Sequence, residues 1–354
     1  MLRNLMILGL ALMVVAAVGC SNNDSPTSSG TPMTFNDTTW YDASAGVYRT
    51  QVNASSHDQA AYFSFDRAVS KAPTWDLSFE RYIINTNSGA SSDGGDIDAA
   101  VIKNKAYEAV TIHDTTGAKW LVDSLAYAID NWYHYDLNNH IFVLTHYVFS
   151  MRDAEGDNLI KLRIDSMANN GMPPNMGTIY MTYYYQPTAN SLDLSGQTQS
   201  VSINVGSNTV YFDFSSGQVV TPSDPRNSTA WDIGFSNYNI MTNSGPNGSG
   251  SCFAFPAYDG LGDPTDIDSF TAQDSQAPMF PDFIKSVFNQ TLSTDVEEDN
   301  WYSYSETDNI LTSRSYVYLI KTDTAYYKMQ VDSYYTSLSG EQLPAHYSLI
   351  WNKL

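Results

Sequence analysis

The sequence predicts an all-β fold made of two tandem β domains, each with at most one short helix. Many short segments alternate apolar and polar residues and are separated by Asn, Asp, Gly and Ser, which is typical of strands joined by turns. The chain holds 25 Tyr, 15 Phe and 7 Trp, residues that favour strands, whereas long helix-forming runs are scarce. One stretch also occurs twice, which indicates an internal duplication.

The duplicated stretch reads W-D-x-x-F-x-x-Y-x-I-x-T-N-S-G and spans residues 75–89 and 231–245. Each copy begins with the alternation of a strand and ends in a loop rich in Gly, Ser and Asn. Because these residues tolerate positive φ, the main chain can turn sharply there. Such a loop could let a flat ligand approach the backbone, or it could be a hairpin loop that simply needs glycine.

Further matched segments extend the duplication over most of the chain. They pair residues 62–65 with 211–214, 130–133 with 299–302, 147–149 with 316–318, and 161–166 with 328–333. The offset varies from segment to segment, so insertions are expected in the loops between strands. We therefore predict a first domain over residues 34–186, a linker over 187–197 and a second domain over 198–354. The best helix candidates, Ala118–Ala128 and Phe283–Leu292, lie at matching places in the two halves.

The N-terminus has the pattern of a secretory signal. Residues 1–19 contain a short basic start, an apolar run and small residues before Cys20. This pattern resembles a bacterial lipobox, so we predict that Cys20 becomes a lipidated N-terminus; a plain signal peptide with an incidental cysteine is the alternative. Residues 20–33 are then the lipidated cysteine followed by a flexible polar tether.

The charge limits the classes of partner. After loss of residues 1–19 the chain has 16 Lys and Arg against 38 Asp and Glu, a formal charge of −22. This excess of acid argues against nucleic acid and anionic lipid surfaces as partners, and we expect membrane contact only through the lipid anchor. Cys252 is then the single free thiol, and we expect it to pack as a small apolar side chain.

The order of these segments resembles the HmuY-like haem-binding lipoproteins. The matching elements are the Y-F-x-F strand, the duplicated motif, a W-Y-x-Y strand, a Y-V-[FY] strand, a K-[LM]-x-[IV]-D-S strand and a terminal aromatic strand. The resemblance covers nearly all of both halves. It implies an all-β, non-catalytic lipoprotein at the outer membrane or cell surface. It also implies that haem is held between two side-chain ligands for iron acquisition, with an outer-membrane haem transporter as a further partner.

The resemblance places one haem ligand in the turn after the Trp132 strand, where the counted position is Leu137, which cannot bind iron. His134 and His140 flank this position and are the predicted iron ligands. The other ligand lies upstream in the family, and His113 is the nearest candidate. The cofactor-binding candidates are His134, His140, His113 and His146. A structural role for each histidine is the alternative. The second half has no histidine between residues 198 and 345, so haem is expected in the first half or at the domain interface.

The sequence offers two further kinds of site. Carboxylates cluster after each glycine loop, and they could hold calcium or be solvated acidic turns; they are Asp93, Asp96, Asp98, Asp259, Asp263, Asp266 and Asp268. Sequence signatures of hydrolases, metalloproteases and nucleotide-binding enzymes are absent, so we predict a protein that is not an enzyme. The alternative to haem binding is a scaffold of the same fold that recognises a protein or glycan partner through its aromatic residues.

Overall fold

The structure is a computed structural model that describes residues 37–65, 75–168, 176–255, 266–270, 279–289, 300–305 and 307–354. It divides into two compact units. Unit 1 combines the chain up to Ser124 with Ile284–Leu354, and unit 2 is the continuous segment Leu125–Phe283. The predicted signal peptide, Cys20 and the tether lie outside the described residues.

Unit 1 is built around a six-stranded antiparallel sheet with the order β1-β2-β24-β23-β22-β6. A three-stranded sheet β3-β4-β5 and a hairpin β20-β21 complete it. These strands are β1 Asp37–Asp42, β2 Val47–Asn53, β3 Ala61–Phe63, β4 Leu77–Glu80, β5 Ile83–Thr86, β6 Asp98–Ile102, β20 Tyr302–Ser305, β21 Ile310–Ser313, β22 Val317–Lys321, β23 Tyr326–Ser333 and β24 His346–Lys353.

Unit 2 repeats this plan with a five-stranded sheet β13-β12-β11-β10-β18, a four-stranded sheet β15-β14-β16-β17 and a hairpin β8-β9. These strands are β8 Tyr133–Asp136, β9 Ile141–Leu144, β10 Val148–Arg152, β11 Leu159–Ala168, β12 Thr178–Tyr185, β13 Gln199–Asn204, β14 Val210–Asp213, β15 Gln218–Val220, β16 Ile233–Ser236, β17 Asn239–Thr242 and β18 Ala254–Phe255. The remaining strands, β7 Ser124–Ala126 and β19 Phe283–Lys285, lie where the chain passes from one unit to the other.

The two units share the same plan, including a register shift at Ile164/Ser166 in unit 2 and at Val331/Ser333 in unit 1. They differ in strand number, since the two main sheets have six and five strands and the two smaller sheets have three and four. Each unit takes its early strands from one copy of the duplication and its late strands from the other. In unit 1, for example, Phe79 of the first copy and Tyr347 of the second pack with ring centroids 5.0 Å apart. The compact units therefore do not follow the predicted boundaries at 34–186 and 198–354.

An all-β fold is confirmed, and the only helical turns in the described residues are short 3-10 segments, Gly89–Ser91, Tyr107–Ala109, Ile112–Thr115 and Pro225–Asn227. The two predicted helices are wrong over their described parts. Leu121 forms a β-bridge with Ala99, and β7 and β19 occupy positions where helix was expected, because main-chain pairing outweighs helix propensity. The predicted linker is also packed: Leu194 is buried with Leu159 in a core cluster of unit 2.

Candidate functional site

In each unit the aspartate of the duplicated motif is buried and hydrogen-bonded to backbone N–H groups. In unit 2 Asp232 is buried, and its two carboxylate oxygens accept hydrogen bonds from the backbone N–H groups of Phe214 (2.7 Å) and Ala154 (2.8 Å). Burial raises the pKa of Asp232 to about 7. In unit 1 the matching Asp76 accepts a 2.7 Å hydrogen bond from the backbone N–H of Phe65. The Asp of the motif therefore ties neighbouring strands together.

The T-N-S-G loop closes around a second buried carboxylate. Asp282 accepts hydrogen bonds from the backbone N–H groups of Thr242 and Ala128, both at 2.7 Å, and burial raises its pKa to about 6. Gly245 lies so close to the Asp282 carbonyl oxygen that a Cβ would be 2.0 Å from it. Glycine is therefore needed at residue 245 because the backbone of Asp282 approaches it closely. This structural requirement accounts for the repeated spacing of the loop without a bound ligand.

Unit 1 repeats this arrangement around Asp123. Its carboxylate accepts a 2.8 Å hydrogen bond from the backbone N–H of Thr86, and burial raises its pKa to about 7. A Cβ on Gly89 would lie 2.0 Å from the Asp123 carbonyl oxygen. Because both copies use the loop in the same way, it is part of the scaffold.

The predicted ligands in unit 2 lie on the β8-β9 hairpin, whose register pairs Tyr135 with Phe142 and His134 with Val143. One face of the hairpin is aromatic. The Phe142 ring stacks on Tyr238 with centroids 4.5 Å apart, and it contacts Tyr133 at 5.0 Å and Tyr135 at 5.2 Å. Because successive side chains of a strand point to opposite faces, His134 lies on the other face, with Asp136.

His140 lies in the turn of this hairpin, with φ +55°, and is exposed. Its Nδ1 shares a hydrogen bond of 3.2 Å with the Tyr135 hydroxyl, and the two ring centroids are 6.3 Å apart. The His140 ring is therefore on the side of Tyr135, opposite to His134. The hairpin brings His140 together with Tyr135 and does not bring His134 and His140 onto one face.

The other two candidates lie elsewhere. His146 follows β9, is exposed and has φ +58°. His113 is an exposed residue of the 3-10 turn Ile112–Thr115 in unit 1, a turn that Thr111 and Asp114 cap reciprocally. His113 thus belongs to a different compact unit from the other three histidines.

The matching hairpin of unit 1, β20-β21, provides an internal reference. Ser303, Asn309 and Ser315 stand where unit 2 has His134, His140 and His146. Asn309 has φ +56° and Ser315 φ +54°, so these two positions keep the left-handed conformation without imidazole side chains. The Tyr304 hydroxyl donates a 2.6 Å hydrogen bond to Asn309 Oδ1, as the counterpart of the Tyr135–His140 contact. The three histidines are therefore not required by the fold of the hairpin.

A small cavity borders the base of the β8-β9 hairpin. It measures about 170 Å³, and its lining includes Trp132, Tyr133, His134, Tyr238 and Ile240. Pockets that enclose drug-sized ligands usually measure about 300–1,000 Å³. A porphyrin therefore does not fit inside this cavity, and a flat ligand at this site would lie against the exposed part of the hairpin.

Exposed apolar side chains lie at the tip of the same hairpin. Leu137 is 76% exposed and Ile141 is 51% exposed. Glu306, which the repeat offset pairs with Leu137, lies outside the described residues. The tip of the β8-β9 hairpin therefore combines exposed apolar side chains with the phenol of Tyr135 and the imidazole of His140.

The described carboxylates of the acidic clusters are not arranged as a calcium site. Among the described residues, no group of three or more His, Cys, Asp or Glu side chains is arranged to hold a metal ion. Asp98 instead forms a 2.6 Å ion pair with Lys321, and Asp268 accepts a hydrogen bond from Thr198. Asp259 and Asp263 lie outside the described residues. Within the part of the chain that the structure covers, no helix is long and apolar enough to span a membrane.

Comparison with known proteins gives a family match over part of the chain. A family model described as HmuY protein matches residues 206–348. This range is most of the second copy of the duplication. No curated protein matches the chain. A crystal structure of a protein provisionally described as a lipoprotein, from Bacteroides fragilis NCTC 9343, aligns over 51% of this chain and 91% of its own at 12% identity. Its TM-score of 0.14 is too low to support an argument.

Sequence reasoning missed Tyr135 as a potential site residue. Alignment of the two copies of the duplication could have drawn attention to it, because Tyr135 aligns with Tyr304 and His140 aligns with Asn309. What the alignment does not contain is the turn conformation at residue 140, which brings imidazole and phenol into contact.

Proposed function

We propose that this protein is a lipid-anchored surface lipoprotein of two HmuY-like modules that binds haem or a similar flat ligand and has no catalytic role. The HmuY family match over residues 206–348 supports this assignment for the copy that contains the β20-β21 hairpin, and the internal duplication is our reason for proposing it for the copy that contains the β8-β9 hairpin. Cys20 is the lipidation site in this proposal, and the outer membrane or cell surface is the location. A membrane transporter is the acceptor of the ligand.

The observation that carries the proposal is the difference between the two hairpins. The β8-β9 segment has His134, His140 and His146, whereas the matching positions of the β20-β21 segment are Ser303, Asn309 and Ser315, and the last two of these positions have positive φ in both units. Exposed apolar and imidazole side chains are what an iron porphyrin needs from a protein surface, because its faces are apolar and its iron takes nitrogen or oxygen ligands. When bound, haem would supply the ferric iron, and the hairpin side chains would orient it.

Haemin titration of the purified protein lacking residues 1–20, followed by the Soret band, tests this function. We expect a saturable shift. A variant carrying His134→Ser, His140→Asn and His146→Ser takes the residues of unit 1 and should bind haemin about 10–100-fold more weakly. The matched control, Ser303→Ala with Ser315→Ala in unit 1, should bind as the wild type does.

A wild-type protein that gives no Soret shift, oxidised or reduced, would remove haem and leave the alternative, a scaffold for a protein or glycan partner. The exposed aromatic residues Trp40 and Tyr41 of β1 favour that alternative, since aromatic faces bind sugars. A glycan array with the same protein would then give the positive result.

A further inference from the structure

We propose that the small cavity beside the β8-β9 hairpin binds an alkylated ammonium group, such as the trimethylammonium group of choline. This inference goes beyond the proposed haem function and does not rest on it. The cavity measures about 170 Å³. A cavity of about 150 Å³ admits benzene, and a trimethylammonium group is smaller than benzene. The space that is too small for a porphyrin therefore suits a compact cationic group.

Three aromatic residues of the cavity lining are steeply inclined to one another. The Tyr133 ring lies at 70° to the Trp132 ring, with centroids 4.6 Å apart, and at 59° to the Tyr238 ring, with centroids 6.5 Å apart. Rings at such angles surround a compact ligand from more than one direction. Because the faces of Trp and Tyr rings attract organic cations, a set of such rings is a common means of recognising a quaternary ammonium group.

The charge of the lining also favours a cation. Asp130 lines the cavity and is exposed, so its carboxylate lies on the open side. Its Oδ1 accepts a 2.7 Å hydrogen bond from the backbone N–H of the next residue, Asn131. Burial and, after it, the charge of Asp130 raise the pKa of Tyr133, so the carboxylate acts on the rings electrostatically. Among the described residues that line the cavity none is Lys or Arg, and an anion would meet only the imidazole of His134.

Unit 1 repeats the three rings. The Tyr302 ring lies at 69° to Trp301 and at 74° to Tyr82, with centroids 5.0 Å and 6.1 Å apart. The ring arrangement is therefore part of the scaffold that both units share, and by itself it does not indicate a ligand. What differs between the units is the polar side chain beside the rings.

In unit 1 this side chain is a neutral amide. Counted forward from the buried aspartate beside each T-N-S-G loop, the residue at the place of Asp130 is Asn289, and the extra residues of the second copy follow it. The Asn289 amide accepts a 2.9 Å hydrogen bond from the backbone N–H of Ile84 and donates another to a neighbouring carbonyl oxygen. In unit 2 the matching Ile240 forms a β-bridge with Ile129. Unit 2 thus keeps the rings and exchanges an amide that is bonded to the main chain for an exposed carboxylate.

Calorimetric titration of choline chloride into the purified protein lacking residues 1–20 tests the assignment. At pH 8 histidine side chains are largely neutral, so that His134 does not oppose the cation. Asp130→Asn removes the charge and keeps an oxygen that accepts from the N–H of Asn131. We expect it to weaken choline binding by about fivefold or more. Added salt should weaken binding to the wild type more than to this variant. Asp323→Asn, an exposed site in unit 1, removes the same charge and should bind choline as the wild type does.

Two further measurements test the aromatic part. The neutral analogue 3,3-dimethylbutanol has the shape of choline without its charge, so it should bind the wild type at least about threefold more weakly and should not distinguish Asp130→Asn. Tyr133→Leu should weaken choline binding by about threefold or more, whereas Tyr302→Leu, its counterpart in unit 1, should leave it unchanged. If Tyr133→Leu does not fold, the neutral analogue and Asp130→Asn still decide the assignment.

The source of the cation is distinguished with vesicles of phosphatidylcholine. Cosedimentation of the wild type, lost in Asp130→Asn, would assign the head group of a lipid, and binding of choline without cosedimentation would assign a soluble ligand. Absence of saturable choline binding by the wild type in both experiments would overturn the proposal. Equal affinities for choline and the neutral analogue, or an unchanged affinity in Asp130→Asn, would overturn it as well. Neither haemin binding nor its failure bears on these outcomes.

Discussion

Replacing Gly245 with Ala tests whether the duplicated T-N-S-G loop is a structural element. Gly245 has φ +56°, and a Cβ there would lie 2.0 Å from the carbonyl oxygen of Asp282. A non-glycine residue in the left-handed region costs about 1–2 kcal/mol, and overpacking adds about 1–3 kcal/mol. We therefore expect Gly245→Ala to lower the free energy of unfolding of unit 2 by about 2–5 kcal/mol.

Gly206→Ala is the matched control in the same unit. Gly206 has φ +58°, but nothing lies within 4 Å of its Cβ position. Its replacement should cost only the conformational part, about 1–2 kcal/mol. The difference between the two variants isolates the contact with Asp282.

Native-state hydrogen exchange of peptides from residues 125–283 measures the loss in unit 2 without assuming that the whole chain unfolds in one step. Equal losses in the two variants would refute the close-approach explanation. Retained stability in Gly245→Ala together with weakened haemin binding would show that the loop contacts the ligand after all.

Three further predictions follow from buried polar groups. Burial raises the pKa of Asp123, Asp232 and Asp282 from 3.8 to between about 6 and about 7, so between these values the three groups hold more protons in the folded state than in the unfolded chain. Their contribution to stability is lost as pH rises through the folded pKa values, so urea unfolding should show lower stability at pH 8 than at pH 5; equal stability would contradict this. The buried Lys328 ammonium donates hydrogen bonds to the backbone carbonyls of Tyr107 and Val110. Lys328→Met should therefore lower the free energy of unfolding by about 1–3 kcal/mol and speed hydrogen exchange around residues 107–110. Unchanged exchange would argue against that role. Cys252 is fully buried, and burial raises the pKa of its thiol. It should therefore resist iodoacetamide in the folded protein and react in urea, which mass spectrometry can measure. Rapid labelling of the folded protein would contradict this.

The sequence was sufficient for the fold class and for the equivalence of the two copies. Trp75 and Trp231 begin the same motif, and the strands that follow them pair in the same way. It was not sufficient for strand partners, because two equivalent copies offer each strand two chemically similar partners. The β2 strand, for example, pairs with β24 at the far end of the chain. Choosing between such partners depends on the path of the loops.

For the candidate site, the sequence predicted which residue types are present but not which of them share a face. The sequence shows that His134 and His140 lie close together along the chain. It also shows that the second copy has no histidine at the matching positions. Strand alternation and the turn at His140 decide which side chains share a face, and these depend on the hairpin register. The helix predicted over Ala118–Ala128 was wrong because the apolar pattern there serves short strand contacts.

The division of the chain into a continuous unit and a split one has a consequence for biosynthesis. As the polypeptide is made, unit 2 has every strand it needs once residue 283 has emerged, whereas unit 1 waits for its last strand, in which Trp351 pairs with Tyr48 near the start of the fold. Pairing over such a distance in sequence slows folding more than it lowers stability. A nonsense mutation shortly after residue 283 would therefore release a chain in which unit 2 can fold and unit 1 cannot, because unit 1 lacks its C-terminal strands.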